Sequence, residues 1–409
     1  MSSTTLHHLD GLPVILVDMP ESTSTTVQIF VKAGSVYEQR ETNGISHFLE
    51  HMFFKWGVKY PNAKAVAQAV DIFGGEFNAY TSDEIASYYV KSAPEYVHQS
   101  IDVLADMMVH STFPRDELEI EKGAVVEEIK MRKDNPQSLI RDQRGVYMFG
   151  DTARWWPTIG TVDNVMSFTQ EHLFAHKENL YTKDNMIIVV CGPIAEASSS
   201  LLGQIWDLFQ SIPHTKKISY PDLIPFLPTS RRAFHDQTTQ QNHMILAAPG
   251  LAVDDTRIYA AHILTTLLGG PMSSRLFQEV REKRGLCYYI GAGHIAGEKD
   301  GVFVIKSWLS KEKFEEGVET IFAEIAKVVA GDVHEDEFQQ SIGYSLGKLK
   351  MGIETSDEMA ERVGYDYLVQ KRLITIPEIV SKYQSLQLSD LQSVAQMLTP
   401  DKLYLYYIQ

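Results

Sequence analysis

The sequence has little of what a secreted or membrane-spanning protein needs. Only two of the 409 residues are cysteines, Cys191 and Cys287, and their wide separation argues against a disulfide framework and for a reducing compartment. The N-terminus lacks the basic and apolar regions of a secretory signal, and no apolar run is long enough to span a bilayer. We therefore expect a cytoplasmic chain with no membrane partner.

Basic residues are also scarce relative to acidic ones. The chain has 37 Lys and Arg against 53 Asp and Glu, a formal net charge of −16. This balance argues against nucleic acid as a partner, because no excess of basic residues is available to neutralise phosphates. The 44% hydrophobic and 22% charged content is typical of a globular protein, and the length predicts two domains or two large halves.

The segment His47-Phe48-Leu49-Glu50-His51 is the most informative pattern present. On a helix, residues four apart share a face, so His47 and His51 would direct two imidazoles at one point, as two zinc ligands do. Glu50 lies near the same face and is the candidate general base for a water molecule. A second pair, His172 and His176, has no carboxylate between its histidines, and we interpret it as structural.

The two halves of the sequence repeat one order of elements. A predicted strand over residues 25–33 precedes the motif helix, and a similar strand over residues 240–248 precedes a helix over residues 254–268. We infer a duplicated α+β fold of two homologous units, each an antiparallel-rich sheet covered by helices. The predicted boundaries are an N-terminal zinc-binding unit, a proline-containing linker and a C-terminal unit, at residues 1–213, 214–230 and 231–409.

A third zinc ligand must come from elsewhere in the chain. The predicted helix over residues 117–131 carries several glutamates, of which Glu121 and Glu128 are seven apart and share a face. Helical spacing alone does not choose between Glu127 and Glu128 as the ligand.

A family resemblance makes that choice. Residues 44–52 resemble the inverted-motif zinc peptidases of family M16, which includes pitrilysin, insulin-degrading enzyme and mitochondrial processing peptidase. The resemblance implies that Glu128, 77 residues beyond His51, is the third ligand of one Zn²⁺ per chain. It also implies a supporting role for Glu121, which would orient ligands or bound water, and units of the LuxS/metallohydrolase-like type.

Two further segments carry the resemblance. Residues 74–82 resemble the strand whose edge holds the substrate backbone, which implies substrate binding by Asn78 and Ala79. Residues 274–288 resemble the family's Arg/Tyr segment, which implies that Arg281 binds substrate carbonyls and that Tyr288 binds substrate and donates to the developing oxyanion.

The function implied is that of a short, two-unit, bacterial-type zinc metalloendopeptidase that hydrolyses unfolded peptides inside a closed chamber. Because this chain carries both the zinc motif and the Arg/Tyr pair, we expect a homodimer, with a heterodimer as the alternative assembly. Two other functions stay open at this point: a presequence- or propeptide-processing peptidase, and a non-catalytic scaffold subunit of the same family.

Overall fold

A six-stranded sheet forms the centre of the first half of the chain. The computed structural model describes residues 3–55, 57–214, 218–221 and 230–409. The strands are β1 Ser3–Leu9, β2 Leu12–Asp18, β3 Thr25–Val31, β4 Glu76–Thr81, β5 Ala86–Ser92 and β6 Met186–Gly192. Their spatial order is β1-β2-β6-β3-β5-β4, and only β2 and β6 are parallel neighbours. The central strands β3 and β6 are buried on both faces, which explains their apolar, β-branched sequences.

Helices cover this sheet and supply the core beside it. Those of the first half are α1 Ile45–Phe53, α2 Ala63–Asp71, α3 Val97–Val109, α4 Arg115–Asp134, α5 Pro136–Phe149, α6 Val162–Ser167, α7 Gln170–Leu180 and α8 Ser198–Phe209. Apolar side chains of α1 and α3 meet one face of the sheet, where Phe48, Phe53 and Tyr88 are almost fully buried. This packing fixes the position of the motif helix α1.

The second half builds a five-stranded sheet with its own core. Its strands are β7 Arg232–His235, β8 Gln241–Pro249, β9 Cys287–Ala296, β10 Gly301–Ser310 and β11 Tyr404–Ile408, in the order β7-β11-β8-β10-β9. Its helices are α9 Ile258–Gly269, α10 Phe314–Val329, α11 Glu335–Met351, α12 Ser356–Gln370, α13 Ile376–Gln384 and α14 Leu388–Ala395, with a π-helix at Phe277–Glu282.

The topology of the two sheets confirms the predicted duplication. Strands β2 to β6 correspond in chain order, spatial order and direction to β7 to β11, including the single parallel pair, β2 with β6 and β7 with β11. Strand β1 is the one addition in the first sheet. The predicted fold class, two homologous α+β units with antiparallel-rich sheets, is therefore correct.

The two compact units of the structure are not separated by a single boundary in the sequence. Unit 1 comprises Met1–Met131, Ala153–Asp222 and Gly352–Leu373, and unit 2 comprises the remaining segments, Arg132–Thr152, Leu223–Met351 and Ile374–Gln409. The linear division at residues 213 and 231 therefore differs from these units in two places: α5 belongs to unit 2, and α12 belongs to unit 1. Most of the predicted linker, residues 214–230, lies outside the described residues.

Helix α12 joins unit 1 and helix α5 joins unit 2 because each helix covers the outer face of that unit's sheet. In unit 1, the Gln28 side chain donates to the carboxylate of Glu361 on α12 at 2.7 Å, and Ser356 bonds to Thr26 at 2.8 Å. A Cβ atom at Gly364 would lie 2.1 Å from the Phe30 ring, so α12 approaches the sheet at a distance that only glycine allows. In unit 2, α5 packs on β8 and β11 in the same way.

Within the described ranges, no helix combines the length and the apolar character that a membrane span requires.

Candidate metal centre

The motif helix α1 begins at a turn that only glycine adopts easily. Gly44 precedes the helix with φ +101°, and a Cβ atom there would lie 2.7 Å from the Ile159 carbonyl oxygen. The sequence suggests Ser46 as the N-cap, because serine is favoured there, but this expectation is wrong. Ser46 lies inside the helix, and its hydroxyl bonds to His176 Nε2 at 3.0 Å.

A buried carboxylate caps α1 from outside the helix. Glu38 accepts hydrogen bonds from the backbone N–H of Gly44 at 2.8 Å and of Ser46 at 2.9 Å, and from the Asn43 side chain at 2.9 Å. Burial raises the pKa of Glu38, and these hydrogen bonds counteract part of that rise. Glu38 thus satisfies helix N–H groups that would otherwise lack partners, and it fixes the start of the helix that carries His47.

His47 and His51 lie on one face of α1, as their spacing predicts. Their ring centroids are 4.7 Å apart, while Phe48, Leu49 and Met52 on the rest of the helix are buried in the core. The histidine side chains keep 12% and 28% of their surface exposed, so the pair is partly open to solvent. The core residues therefore hold the helix while the imidazoles stay accessible.

Helix α4 brings Glu128 to this pair. One carboxylate oxygen of Glu128 lies 3.7 Å from His47 Nε2, and the other lies 3.6 Å from His51 Nε2. Glu127 instead pairs with Lys130 at 2.7 Å and is 72% exposed. The ambiguity that spacing leaves between the two glutamates is thus resolved by geometry, since only Glu128 joins the histidines.

Glu121 supports His51 from the other side of the ring. Its carboxylate accepts from His51 Nδ1 at 2.8 Å and from Lys55 Nζ at 2.8 Å, and only 7% of its side chain is exposed. Burial would raise the pKa of Glu121, but the hydrogen bonds from His51 and Lys55 lower it to about 2. An ionised Glu121 fixes the proton of His51 on Nδ1 and leaves Nε2 directed at Glu128.

The donor set fits a divalent zinc ion. Among the described residues, His47, His51 and Glu128 form the single group of candidate ligands whose atoms all lie within 4.8 Å of one another. Tetrahedral zinc with bonds of about 2.1 Å separates its ligand atoms by about 3.4 Å, close to the two His–Glu distances here. Two imidazoles and one carboxylate are also a ligand set of catalytic zinc sites.

Glu50, on α1 between His47 and His51, lies beside the candidate ligands. Its carboxylate accepts a hydrogen bond from the Thr81 hydroxyl at 2.5 Å, at the end of β4. Burial raises the pKa of Glu50, although the Thr81 hydrogen bond and the charge of His51 oppose the rise. The result is a partly desolvated carboxylate with a fixed orientation next to a candidate metal site.

Strand β4 lies at the edge of the first sheet, as its expected role in substrate binding requires. It pairs with β5 on one side only, in the order of the described strands. The Asn78 side chain is exposed and accepts from the backbone N–H of Ala79 at 2.9 Å. Asn78 and Ala79 thus lie on the strand that also carries Thr81, the hydrogen-bond partner of Glu50.

Arg281 and Tyr288 are close to each other in unit 2. The Arg281 guanidinium lies over the Phe277 ring at 4.5 Å and over the Tyr288 ring at 5.9 Å. Tyr288, on edge strand β9, is 71% exposed and stacks on Trp308 with ring centroids 6.4 Å apart. The π-helix turn that carries Arg281 is a rare geometry that often occurs at functional sites.

The second histidine pair has two separate local contacts. His172 Nδ1 accepts from the backbone N–H of Thr169 at the start of α7, whereas His176 Nε2 bonds to the Ser46 hydroxyl. Burial lowers the pKa of His176 to about 4, so this imidazole stays neutral at physiological pH. These contacts agree with a structural interpretation of the pair.

Three supporting groups were not found from the sequence. Glu38, Lys55 and Thr81 each contact the site or its helix through a single polar side chain. None of them belongs to a spacing pattern, because each contact joins different elements of the fold. Only the position of Thr81 at the end of a predicted strand could have drawn attention to it.

Comparison with known proteins shows the family to which this chain belongs. The family model described as "Insulinase (Peptidase family M16)" matches residues 13–161, and "Peptidase M16 inactive domain" matches residues 167–343. The uncharacterized zinc protease YmxG of Bacillus subtilis is 32% identical over 389 residues, which cover 95% of this chain and 94% of that protein. The chain belongs to peptidase family M16. The uncharacterized zinc protease SCO5738 of Streptomyces coelicolor, another relative, is 30% identical over 94% of this chain and 85% of its own length.

Solved structures show the same fold for this M16 chain. A protease from Helicobacter pylori superposes with a TM-score of 0.92 at 22% identity, over 100% of both chains. A Pseudomonas fluorescens structure described as a peptidase M16 inactive domain gives a TM-score of 0.89 at 19% identity, over 99% of this chain and 97% of that one. These similarities extend over both units and support the two-unit architecture.

Proposed function

We propose that this chain is a zinc-dependent metalloendopeptidase in which His47, His51 and Glu128 hold one Zn²⁺. The observation that carries the proposal is the convergence of these three side chains from α1 and α4, within 4.8 Å, beside the desolvated carboxylate of Glu50. Zinc bound there would supply a Lewis acid that polarises the scissile carbonyl and lowers the pKa of water. The remaining chemistry belongs to residues of the chain.

Glu50 is the proposed general base and acid. A carboxylate with a raised pKa can accept a proton from the attacking water and then donate it to the leaving amine. The hydrogen bond from Thr81 restricts rotation of the Glu50 carboxylate and favours one orientation toward the ligand cluster. Glu121 does not meet the substrate in this scheme but holds His51 in the ligating tautomer.

Substrate binding is assigned to β4 and to the Arg/Tyr pair. The open edge of β4 supports addition of an extended peptide as a further strand, with Asn78 and Ala79 in contact with its backbone. Arg281 is proposed to donate to substrate carbonyls and Tyr288 to donate its hydroxyl hydrogen to the oxyanion. Because the substrate would have to bind as an extended strand, unfolded peptides are favoured over folded proteins as substrates.

The assembly and the enclosing chamber stay predictions that follow from the family resemblance. A homodimer would place two copies of each proposed site in one particle. Size-exclusion chromatography with light scattering of the purified chain measures its mass directly. If the protein has the mass of one chain and still hydrolyses peptides at full rate, the homodimer is contradicted.

The proposed function is tested by Glu50→Gln, which keeps shape and removes the base. We expect normal zinc content, measured by metal analysis, and loss of peptide hydrolysis by at least about a hundredfold. Glu127→Gln is the matched control, because Glu127 is exposed and pairs with Lys130. Mass-spectrometric mapping of cuts in a peptide library supplies the activity readout, with a chelator as the second control. Undiminished hydrolysis by zinc-loaded Glu50→Gln would refute the assignment.

A further inference from the structure

Unit 2 contains a groove of about 420 Å³ on the outer face of its sheet, at the start of α5. Cross-strand pairing defines its floor, because Lys306 and Trp308 on β10 lie opposite Ile245 and His243 on β8. Residues of α5, including Arg141, form one side. This volume lies in the range of small-molecule binding sites.

Positive charge exceeds negative charge around the groove. Arg141 and Lys306 line it, and none of the described residues that line it is acidic. Arg144, one turn beyond Arg141 on α5, is 6% exposed, and its Nε and Nη1 atoms have no hydrogen-bond partner among the described residues. The neighbouring carboxylate of Asp142 accepts from Arg132 at 3.2 and 3.3 Å, and it also lies 3.6 Å from Arg141 Nε, so two arginines share this one carboxylate. The groove is thus locally cationic in a strongly acidic protein.

The electrostatic cost of this arrangement lowers the pKa values of its cations. Burial and the charges of Arg144 and Arg141 lower the pKa of Lys306. Burial and the charge of Arg141 lower the pKa of Arg144 to about 10. A buried cation without a hydrogen-bond partner is costly, and a negative ligand in the groove would offset part of that cost.

Part of the groove lining is aromatic. The Trp308 ring lies 5.7 Å from the His243 ring and 5.0 Å from the Tyr289 ring, measured between centroids. His243 Nδ1 is buried and has no hydrogen-bond partner in the described part of the chain. A small inorganic anion would meet the cations but leave these rings without contacts. A ligand with a negative end and an apolar body matches both surfaces.

We propose that this groove binds an organic carboxylate with an aromatic or aliphatic body. Its carboxylate would pair with Lys306 and Arg141, and its apolar body would pack on Trp308 and Tyr289. Two sources supply this chemistry in peptides, a free C-terminus and an acidic side chain. The site lies wholly within unit 2, and the proposal goes beyond hydrolysis, because neither zinc nor Glu50 takes part in it.

Calorimetric titration of the full-length protein tests the proposal with defined probes. N-acetyl-phenylalanine represents a C-terminal carboxylate, N-acetyl-aspartate N-methylamide represents an acidic side chain, and N-acetyl-phenylalaninamide is the uncharged control. We expect at least one acid to bind at least about tenfold more tightly than the amide, since a charge-assisted contact is lost in the amide. The tighter of the two acids identifies the source, and its affinity should fall as salt is raised.

Variants connect the binding to the groove. Lys306→Gln should weaken the acid about tenfold, and Arg141→Gln, on a half-exposed side chain, provides a second test if Lys306→Gln is unfolded. Lys348→Gln on the exposed face of α11 is the control and should bind as the parent does. Equal affinity for acid and amide would overturn the proposal, as would binding of inorganic phosphate alone or undiminished binding by both groove variants.

Discussion

Replacement of Glu121 by Gln tests whether the zinc affinity depends on a residue that is not itself a ligand. The substitution keeps the shape of the side chain, and its amide oxygen can still accept from His51 Nδ1. It removes the negative charge that His51 and Lys55 both contact at 2.8 Å. Because the Gln amide has one acceptor oxygen, the Lys55 contact is lost with the charge, so a change in zinc affinity reports the Glu121 carboxylate rather than a cavity.

The magnitude follows from the contacts of this carboxylate. A hydrogen bond to an ionised acceptor contributes about 1.5–3 kcal/mol, and a neutral one contributes about 1 kcal/mol. Loss of the charge should thus cost about 1.4 kcal/mol of zinc-binding free energy, which raises the zinc dissociation constant about tenfold. Glu121→Ala also leaves the Nδ1–H of His51 without its acceptor, so we expect up to about a hundredfold loss.

The assay is competition for zinc against a chromophoric chelator at constant pH and salt. Glu127→Gln on the same helix is the control, because the Glu127 carboxylate is solvent-exposed and pairs with Lys130. Glu128→Gln serves as the reference for loss of a ligand and should weaken binding more than Glu121→Gln. A zinc dissociation constant that is unchanged in folded Glu121→Gln and Glu121→Ala would refute the supporting role.

Two further predictions concern stability. Gly364→Ala should destabilise unit 1 by about 1–3 kcal/mol in urea unfolding, because the new methyl group overlaps the Phe30 ring, whereas Gly203→Ala on α8, which has open space, should not destabilise it. The pKa of His176 is about 4 in the folded chain and about 6.5 unfolded, so the stability due to its neutral form is present above pH 6.5 and lost as pH falls toward 4. Between pH 8 and pH 5 the free energy of unfolding of the parent should therefore fall by about 2 kcal/mol more than that of His176→Gln. An equal fall in both proteins, measured by urea unfolding, would contradict this pKa.

Local pattern predicted the elements that position the site. The sequence after Gly74-Gly75 predicts a strand over residues 76–81, and the structure has β4 at Glu76–Thr81. Helix α1 covers the whole motif. Both elements have a hydrophobic period and a glycine turn beside them, which are signals contained in a few neighbouring residues. The ligand pair His47 and His51 needs only one helix, so its geometry also follows from local spacing.

Long-range packing explains what the sequence did not predict. The assignment of α5 to unit 2 and of α12 to unit 1 depends on which sheet face lies uncovered, a property of no single segment. The choice between Glu127 and Glu128 depends on the rotation of α4 relative to α1, which spacing within α4 does not determine. Glu38 is a clearer case still, because a buried carboxylate at a helix start has no local pattern that distinguishes it from a surface residue.

The two units share their topology but differ where chemistry is expected. Helix α9 follows β8 as α1 follows β3, yet α9 is buried along most of its length, and its single histidine, His262, bonds to the Tyr383 hydroxyl at 3.1 Å. Within the described residues, the one candidate metal cluster lies in unit 1. The sheet, its core helices and the helix on its outer face are what folding requires, and both units keep them. A polar helix face with supporting carboxylates is needed only for metal binding, so its presence in one unit alone is evidence for function rather than for scaffold.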